Sequence, residues 1–325
     1  MYRLFSRNTP MAFAALLLIL IGLRGRVIYD PARYVVADTP DLFSPAWESL
    51  ASHIAPGSLL SVILAIAVTF LCTLIINNIV NRYGLTQTHG TFAGLFFIAF
   101  SGSFRLSLGF QPSMIFALSL IWGLDRLFSA TSKTRPFASV AWGFGIVTLG
   151  CLFWVKGLCY LPLMFVLLSL LRIGGGRVFT AALLGLGAAV SVATTATLMT
   201  DHPMEIAEAY ARSGLAMQPF WRLGPISITY LVIELGIILI ATLSIHRHLL
   251  EMSITASRKV RVAEWVMMFS LLIIMLPGFS YEVQILIAIG ASMLMPNLMY
   301  SIRDARLREV VPLAALGATA WLIYI

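Results

Sequence analysis

Apolar residues run along this chain in long stretches, and most polar residues lie in the breaks between them. The stretches lack the alternation of polar and apolar positions that is typical of a membrane β-barrel. Runs of roughly 20 apolar residues predict helices that cross a membrane, because a helix satisfies its own backbone hydrogen bonds there. Eleven such segments can be drawn, at 11–23, 58–80, 91–104, 112–128, 138–154, 157–172, 178–199, 225–245, 264–279, 283–300 and 310–325.

This pattern predicts an all-α fold, a polytopic integral membrane helix bundle. We expect about 11 transmembrane helices, in a range of about 9 to 11. Together they form a single transmembrane domain over residues 1–325, because no polar stretch is longer than the opening loop at 24–56. Several segments have about 14 to 17 residues where about 20 are usual, and we expect these to tilt, to re-enter or to be extended by flanking aromatic residues.

Two polar breaks are longer than the others, at 24–56 and 200–224. Each contains a stretch that can form a short helix, at 45–50 and at 204–210. In the first, Trp47, Leu50 and Ile54 recur at helical spacing. The second stretch follows Asp201, which can cap a helix start. We expect both to form interface helices that lie in the plane of the membrane surface, on the outer face of the bundle.

Composition and charge agree with a membrane protein. Hydrophobic residues make up 59% of the chain and charged residues 11%, whereas a soluble domain carries roughly 25% charged residues. The net charge of +8 would suggest nucleic-acid binding in a soluble protein. Here the cations are spread over the loops, as the positive-inside rule predicts. We therefore expect membrane lipids, and no nucleic acid, as partners.

The distribution of cations also predicts the orientation. With the N-terminus placed in the cytoplasm, fifteen of the 22 Lys and Arg residues lie in inner loops and the other seven in outer loops. The first segment is followed by Arg24-Gly25-Arg26 and not by a small-residue cleavage site, so we expect an uncleaved span. The sequence thus predicts a multi-pass protein of the bacterial inner (cytoplasmic) membrane whose N-terminus is cytoplasmic.

The opening outer loop holds the first candidate site. Asp30, Asp38 and Asp41 lie close together in sequence, near Arg24 and Arg26. A carboxylate there can act as a general base or hold a divalent cation. Arginines can bind phosphate through paired hydrogen bonds. This combination suits a lipid-linked phosphate substrate, and the alternative interpretation is an ordinary solvated loop.

Four further residues are candidates because they are ionisable in or beside apolar segments. Arg105, Lys156 and Arg222 lie in outer loops, where they can bind a phosphate or extend to the membrane surface. Glu234 lies inside a predicted span, where a carboxyl is costly and marks a functional site unless it is near the helix end. If the three cations converge with Asp30, they form an anion pocket.

The sequence contains no HExxH, Walker, GxSxG or GxGxxG motif in a fitting context. His246 and His248 are two positions apart and so do not share a helix face. We therefore expect no metal site and no cofactor, apart from the divalent cation that the acidic loop could hold.

Residues 56 to about 199 resemble an uncharacterised family of Bacteroidota inner-membrane proteins. The resemblance lies in a long span that ends in NNIVNRYGL at 77–85, an apolar hairpin, and LDRLF at 124–128, which closes the next span. It implies a multi-span membrane protein and carries no established activity.

The architecture also resembles the GT-C class of membrane glycosyltransferases. The shared features are an acidic first outer loop with interface helices, many short spans, and a mid-chain hairpin that begins with AWGFGI at 141–146. The resemblance implies a polyprenyl-phosphate-linked sugar as donor and an aspartate of the first loop as catalytic base. Asp30, in Tyr-Asp-Pro, is the matching position, with Asp38 or Asp41 as alternates.

Three functions follow as hypotheses. The most specific is sugar transfer from a polyprenyl-phosphate donor at the periplasmic face, with the loop aspartates as catalytic candidates. Arg24, Arg26, Arg105, Lys156 and Arg222 are its phosphate-binding candidates. The alternatives are a non-catalytic membrane component of envelope biogenesis or secretion, with unknown membrane protein partners, and a transporter of small molecules or lipids.

Overall fold

The computed structural model describes residues 2–31, 44–54, 57–86, 89–102, 108–200, 202–215, 225–248, 252–274, 281–302 and 304–324. Within these ranges the regular secondary structure is helical, and no strand is present. The all-α prediction is confirmed for this part of the chain. The α-helices are α1 (Tyr2–Phe5), α2 (Pro10–Leu23), α3 (Gly25–Tyr29), α4 (Pro45–Ala51), α5 (Leu59–Arg82), α6 (Phe92–Ser101), α7 (Pro112–Ala130), α8 (Phe137–Phe153), α9 (Tyr160–Leu170), α10 (Gly176–Leu198), α11 (Pro203–Leu215), α12 (Pro225–His248), α13 (Ile254–Ile274), α14 (Gln284–Ser301) and α15 (Ala305–Tyr324).

Local sequence explains where several helices begin. Thr9 precedes α2 and Ser44 precedes α4, and in both places a proline occupies the first helical position. The hydroxyl oxygens accept hydrogen bonds from Ala12 N and Trp47 N, respectively. A hydroxyl cap satisfies one of the open amides of the first turn, and proline loses nothing there because its missing N–H would have no partner.

Four helices are long and apolar enough to cross a bilayer: α5, α7, α10 and α14. By length and composition the chain is therefore a helical membrane protein. Each of the eleven apolar segments contains a helix, but several of these helices are shorter than a bilayer crossing needs. The count of about 11 crossings stays a prediction.

Helix α6 is the clearest case of a short helix in the interior. Its ten residues rise only about 15 Å, half of a bilayer core. All ten residues are buried, and the helix packs against α14, α5 and α15. Helix α14 is buried almost throughout and packs against α13 on another side. Helices α6 and α14 therefore form the centre of the bundle.

The helices place the loops at two ends of the bundle. The basic end carries the N-terminus and the turns near Tyr83, Lys133 and Arg172, and the outer-loop end carries α4 and α11. Two hydrogen bonds hold the basic end together: Thr91 N donates to Phe5 O at 2.8 Å, and Asn297 Nδ2 donates to Leu85 O at 2.9 Å. The two names refer to the bundle alone and not to a side of the membrane.

Helices α8 and α10 approach each other very closely. A Cβ atom built on Gly185 would overlap the carbonyl oxygen of Ala141. On α10 the residues one turn to either side, Ala181 and Ala189, are also small and buried. Small residues at this spacing let two backbones touch, which is the usual way in which membrane helices associate.

Candidate functional site

Of the nine sequence-predicted site residues the structure describes five, and these five do not form one cluster. Asp38, Asp41, Arg105 and Arg222 lie outside the described residues, so their roles stay predictions. The described candidates are Asp30, Arg24, Arg26, Lys156 and Glu234. They fall into three places: the broken first helix, the outer-loop end, and the centre of the bundle.

Arg24 lies at the break between α2 and α3 and is only 1% exposed. Its Nη1 donates to Leu108 O at 2.9 Å and its Nη2 donates to Thr69 Oγ1 at 3.3 Å. Thr69 is the eleventh of the 24 residues of α5, so Arg24 lies well inside the bundle. The sequence placed it at the start of the opening outer loop, as a candidate for phosphate binding, whereas its side chain is buried here. Because two guanidinium nitrogens bind protein oxygens, Arg24 joins the broken first helix to α5 and to the chain before α7.

Asp30 ends the short helix α3, and its backbone N–H donates to Arg26 O at 3.0 Å. The six residues from Arg24 to Asp30 rise about 9 Å along a helix. Asp30 is half-buried and Arg26 is exposed. Both residues thus lie nearer the outer-loop end than the buried Arg24 does, where a substrate at the membrane surface could reach them.

Lys156 lies in a 3-10 turn, Val155–Cys159, that joins α8 to α9 at the outer-loop end. It is 8% exposed, so the side chain is held inside the protein. The opening loop reaches this turn, because Ser44 Oγ donates to Phe153 O at 2.8 Å. Helix α11 reaches it too, since a Cβ atom built on Gly214 would lie 3.1 Å from Val155 Cγ1.

The predicted helices at 45–50 and 204–210 are present as α4 and α11, and they pack against each other. Tyr210 on α11 hydrogen-bonds the backbone of Ala46 on α4. Burial raises the pKa of the Tyr210 phenol above its ordinary value, and the hydrogen bond from Ala46 acts in the opposite direction. The two long outer loops therefore meet over the turn that carries Lys156.

A further contact ties the chain before α14 to the same turn. Trp154 Nε1 donates to Glu282 Oε2 at 2.6 Å, and both side chains are buried. Glu282 belongs to the 3-10 turn Tyr281–Val283. The turn before α14 therefore also reaches the outer-loop end. There the buried carboxylate of Glu282 binds Trp154, which lies two positions before Lys156.

Glu234 lies in the centre of the bundle, 3% exposed, and not in a loop. Gln284 Nε2 donates to its two carboxylate oxygens at 2.7 and 2.6 Å, and also to Phe100 O at 3.2 Å. Thr319 Oγ1 donates to Ala99 O at 2.8 Å. The last carbonyls of a helix have no partner within the helix. Gln284 and Thr319 supply partners for two carbonyls near the C-terminal end of α6.

Sequence reasoning missed Gln284 and Thr319, although both are polar residues inside predicted spans. Neither was singled out, because only ionisable residues within the spans were taken as candidates. The signal that could have found them is the short segment at 91–104, because a helix that ends inside the bundle needs hydrogen-bond donors from its neighbours.

No metal site is evident in the described ranges: no group of three or more His, Cys, Asp or Glu residues could hold an ion there. The chain matches no protein-family model, no curated protein and no solved structure. The resemblance of residues 56 to about 199 to the Bacteroidota family, and that of the whole chain to the GT-C class, therefore stay predictions.

Proposed function

We propose that this chain is a GT-C-like glycosyltransferase of the bacterial inner membrane that takes its sugar from a polyprenyl phosphate at the periplasmic face. The observation that supports the proposal most is the meeting of α4 and α11 over the turn with the buried Lys156. Two surface-lying helices that border a buried cation make a place where a lipid-linked phosphate can enter from the membrane.

The proposal includes the full membrane topology. Eleven helical passages run between the basic end, which faces the cytoplasm, and the outer-loop end, which faces the periplasm. The passage of α6 is completed by non-helical chain, which is tolerated at membrane depth only where protein surrounds it. The positive-inside bias supports this orientation, because the basic end carries most of the cations.

The chemistry requires a base and a phosphate-binding group on the same face. An aspartate of the opening loop, Asp30 or one of Asp38 and Asp41, removes the proton from an acceptor hydroxyl. The acceptor oxygen forms a bond to the anomeric carbon while the bond from that carbon to the phosphate oxygen breaks. Polyprenyl phosphate leaves with the negative charge, which Lys156 stabilises together with the outer-face arginines.

The test is complementation of a deletion strain with Asp30→Asn, Asp38→Asn and Asp41→Asn, together with profiling of envelope glycans. Asp304→Asn is the matched control, since Asp304 is an exposed aspartate at the basic end. We expect one of the three loop variants to abolish function at normal membrane abundance and to shorten a glycan by one sugar. If all three complement as well as the control does, the glycosyltransferase proposal is wrong.

A second function has one observation in its favour. Arg24 and Glu234 are ionisable residues buried inside the bundle, which is where transporters place their coupling groups. Glu234→Gln keeps an acceptor for Gln284 while removing the titrating carboxyl. Loss of function in this variant at normal abundance, with all three aspartate variants active, would favour transport. Full activity of all four variants would favour a non-catalytic membrane component, to be identified by its copurifying partners.

A further inference from the structure

A cleft of about 310 Å³ opens at the basic end of the bundle. Its walls are the turn between α7 and α8, the turn between α9 and α10, and the first turns of α13. It lies at the far end of the molecule from Asp30 and Lys156. It is therefore independent of the proposed glycosyltransferase site.

Three cations line this cleft, one from each wall: Lys133, Arg172 and Arg258. Among the described residues that line it, none is acidic. None of the three cations forms an ion pair with any residue that the structure describes. Lys133 Nζ donates to the neutral Ser139 Oγ at 2.6 Å. Cations gathered in a concave site raise the local concentration of anions, because low-dielectric walls focus their field.

Three hydroxyls line the same cleft, from Thr131, Thr134 and Thr255. Thr131 Oγ1 already donates to Phe128 O at 2.7 Å, whereas the hydroxyls of Thr134 and Thr255 can each donate one hydrogen bond to an anionic oxygen. Guanidinium and ammonium groups donate charge-assisted bonds to phosphate oxygens. The lining thus offers the donors that a phosphate group needs around its oxygens.

The backbone of the α9–α10 turn holds Arg172 in an unusual conformation. Its φ angle is +55°, in the left-handed region that residues with a side chain rarely adopt. The turn is closed by hydrogen bonds from Arg172 N to Ser169 O and from Ile173 N to Leu168 O, at 3.0 and 3.1 Å. The following Gly174–Gly176 run leaves open space beside the backbone. The turn therefore leaves room beside the cleft.

Two helices begin beside the cleft without a side-chain cap. Pro136 precedes α8 and Gly175 precedes α10, and neither provides a capping hydrogen bond from its side chain. The first amides of a helix have no partner within the helix, and the helix dipole is positive at that end. Both helix starts add positive potential where the three cations already lie.

We propose that this cleft binds a phosphate group, carried by the headgroup of an anionic phospholipid or by a soluble phosphate ester. Its volume exceeds that of one phosphate and accommodates the attached alcohol. Both sources present the same chemistry, a tetrahedral anion with several acceptor oxygens. They differ in how they reach the cleft, from the surrounding leaflet or from solution.

The test uses the purified full-length chain and two kinds of ligand. Phosphatidylglycerol in phosphatidylcholine nanodiscs represents the lipid headgroup, and glycerol 3-phosphate added to pure phosphatidylcholine nanodiscs represents the soluble ester. The cleft variant carries Lys133→Gln, Arg172→Asn and Arg258→Gln. The control carries Arg177→Gln, Arg261→Gln and Arg306→Gln, which remove the same charge at the same end outside the cleft lining.

We expect the wild type and the control to bind one of the two ligands at least about tenfold more tightly than the cleft variant does. Binding of phosphatidylglycerol alone assigns the lipid source, and binding of glycerol 3-phosphate assigns the soluble one. Equal binding by the cleft variant and the control for both ligands overturns the proposal. If the triple variant does not fold, Lys133→Gln and Arg258→Gln are compared singly with Arg261→Gln by the same criterion.

Discussion

The amide nitrogen of Gln284 lies within 2.7 Å of both carboxylate oxygens of Glu234, deep inside the bundle. The same nitrogen reaches Phe100 O, so one side chain joins α12, α14 and the end of α6. Both side chains are buried away from solvent, where an unsatisfied partner is expensive. This pair explains how a ten-residue helix can end inside the protein.

The Glu234–Gln284 pair can be tested by a double-mutant cycle. Gln284→Leu leaves both the buried carboxyl and the Phe100 carbonyl without this donor, and we expect it to lower the free energy of unfolding by about 3 kcal/mol. Glu234→Leu leaves only an amide less satisfied and should cost about 1–2 kcal/mol. The double variant should lose less than the sum of the two. Unfolding in mixed micelles measures all three, and strict additivity would contradict direct coupling.

The contact between α8 and α10 gives a second prediction. Gly185→Ala puts a methyl group into the space of the Ala141 carbonyl, so the two backbones must separate. Overpacking of this kind typically costs about 1–3 kcal/mol. Gly187→Ala is the matched control on the same helix, since nothing lies within 4 Å of its added Cβ. A thermal midpoint that falls for Gly187→Ala as far as for Gly185→Ala would show that the close approach is unimportant.

Hydropathy predicted the helical segments well, because an apolar run needs a helix whether lipid or protein surrounds it. It missed the start of α13, which begins at Ile254 and not near 264. The added turns carry Arg258, Lys259 and Arg261, and charged residues stop a hydropathy segment although they continue a helix. The helix at 45–51 was found because apolar residues recur at helical spacing, and the helix at 203–215 because it follows the possible capping residue Asp201.

The sequence could not predict which residues converge. Arg24 and Lys156 look alike in sequence, as cations beside apolar runs. The structure buries Arg24 against α5 and places Lys156 beneath two loops that are far apart along the chain. Such contacts depend on how the helices are arranged around α6 and α14. A single sequence shows periodicity and composition, but it does not show how the helices are arranged around α6 and α14.

Tyr83 at the basic end gives a spectroscopic prediction. Its hydroxyl donates to Asp125 Oδ1 at 3.0 Å, and Lys259 Nζ lies 4.4 Å from the ring centroid. Burial, followed by the Asp125 carboxylate, raises the pKa of Tyr83 to about 12. The phenol thus contributes stability that is complete below its ordinary pKa of about 10 and is lost as the pH rises through about 12.

Alkaline titration of tyrosinate absorbance should detect this group. The difference between the titration curves of the wild type and of Tyr83→Phe should show the ionisation of one phenol near pH 12. Asp125→Asn removes the neighbouring negative charge, so the Tyr83 transition should move to lower pH. A Tyr83 transition that stays in place in Asp125→Asn would contradict the assigned electrostatic contribution.

Arg24 and Arg26 are two positions apart, but Arg24 is buried and Arg26 is exposed. Arg24→Glu would place a carboxylate against the Leu108 carbonyl in the interior, two acceptors with no proton between them. An uncompensated buried charge typically costs about 3–5 kcal/mol, so we expect little folded protein in the membrane.

Arg24→Met fills similar volume without a charge and should stay within about 1 kcal/mol of wild type, because the guanidinium has no carboxylate partner among the described residues. Arg26→Glu, at an exposed position, should change the free energy of unfolding by no more than about 0.5 kcal/mol. Membrane abundance and the detergent-unfolding midpoint of the three variants test this difference between Arg24 and Arg26. Normal abundance of Arg24→Glu would mean that Arg24 does not lie inside the bundle.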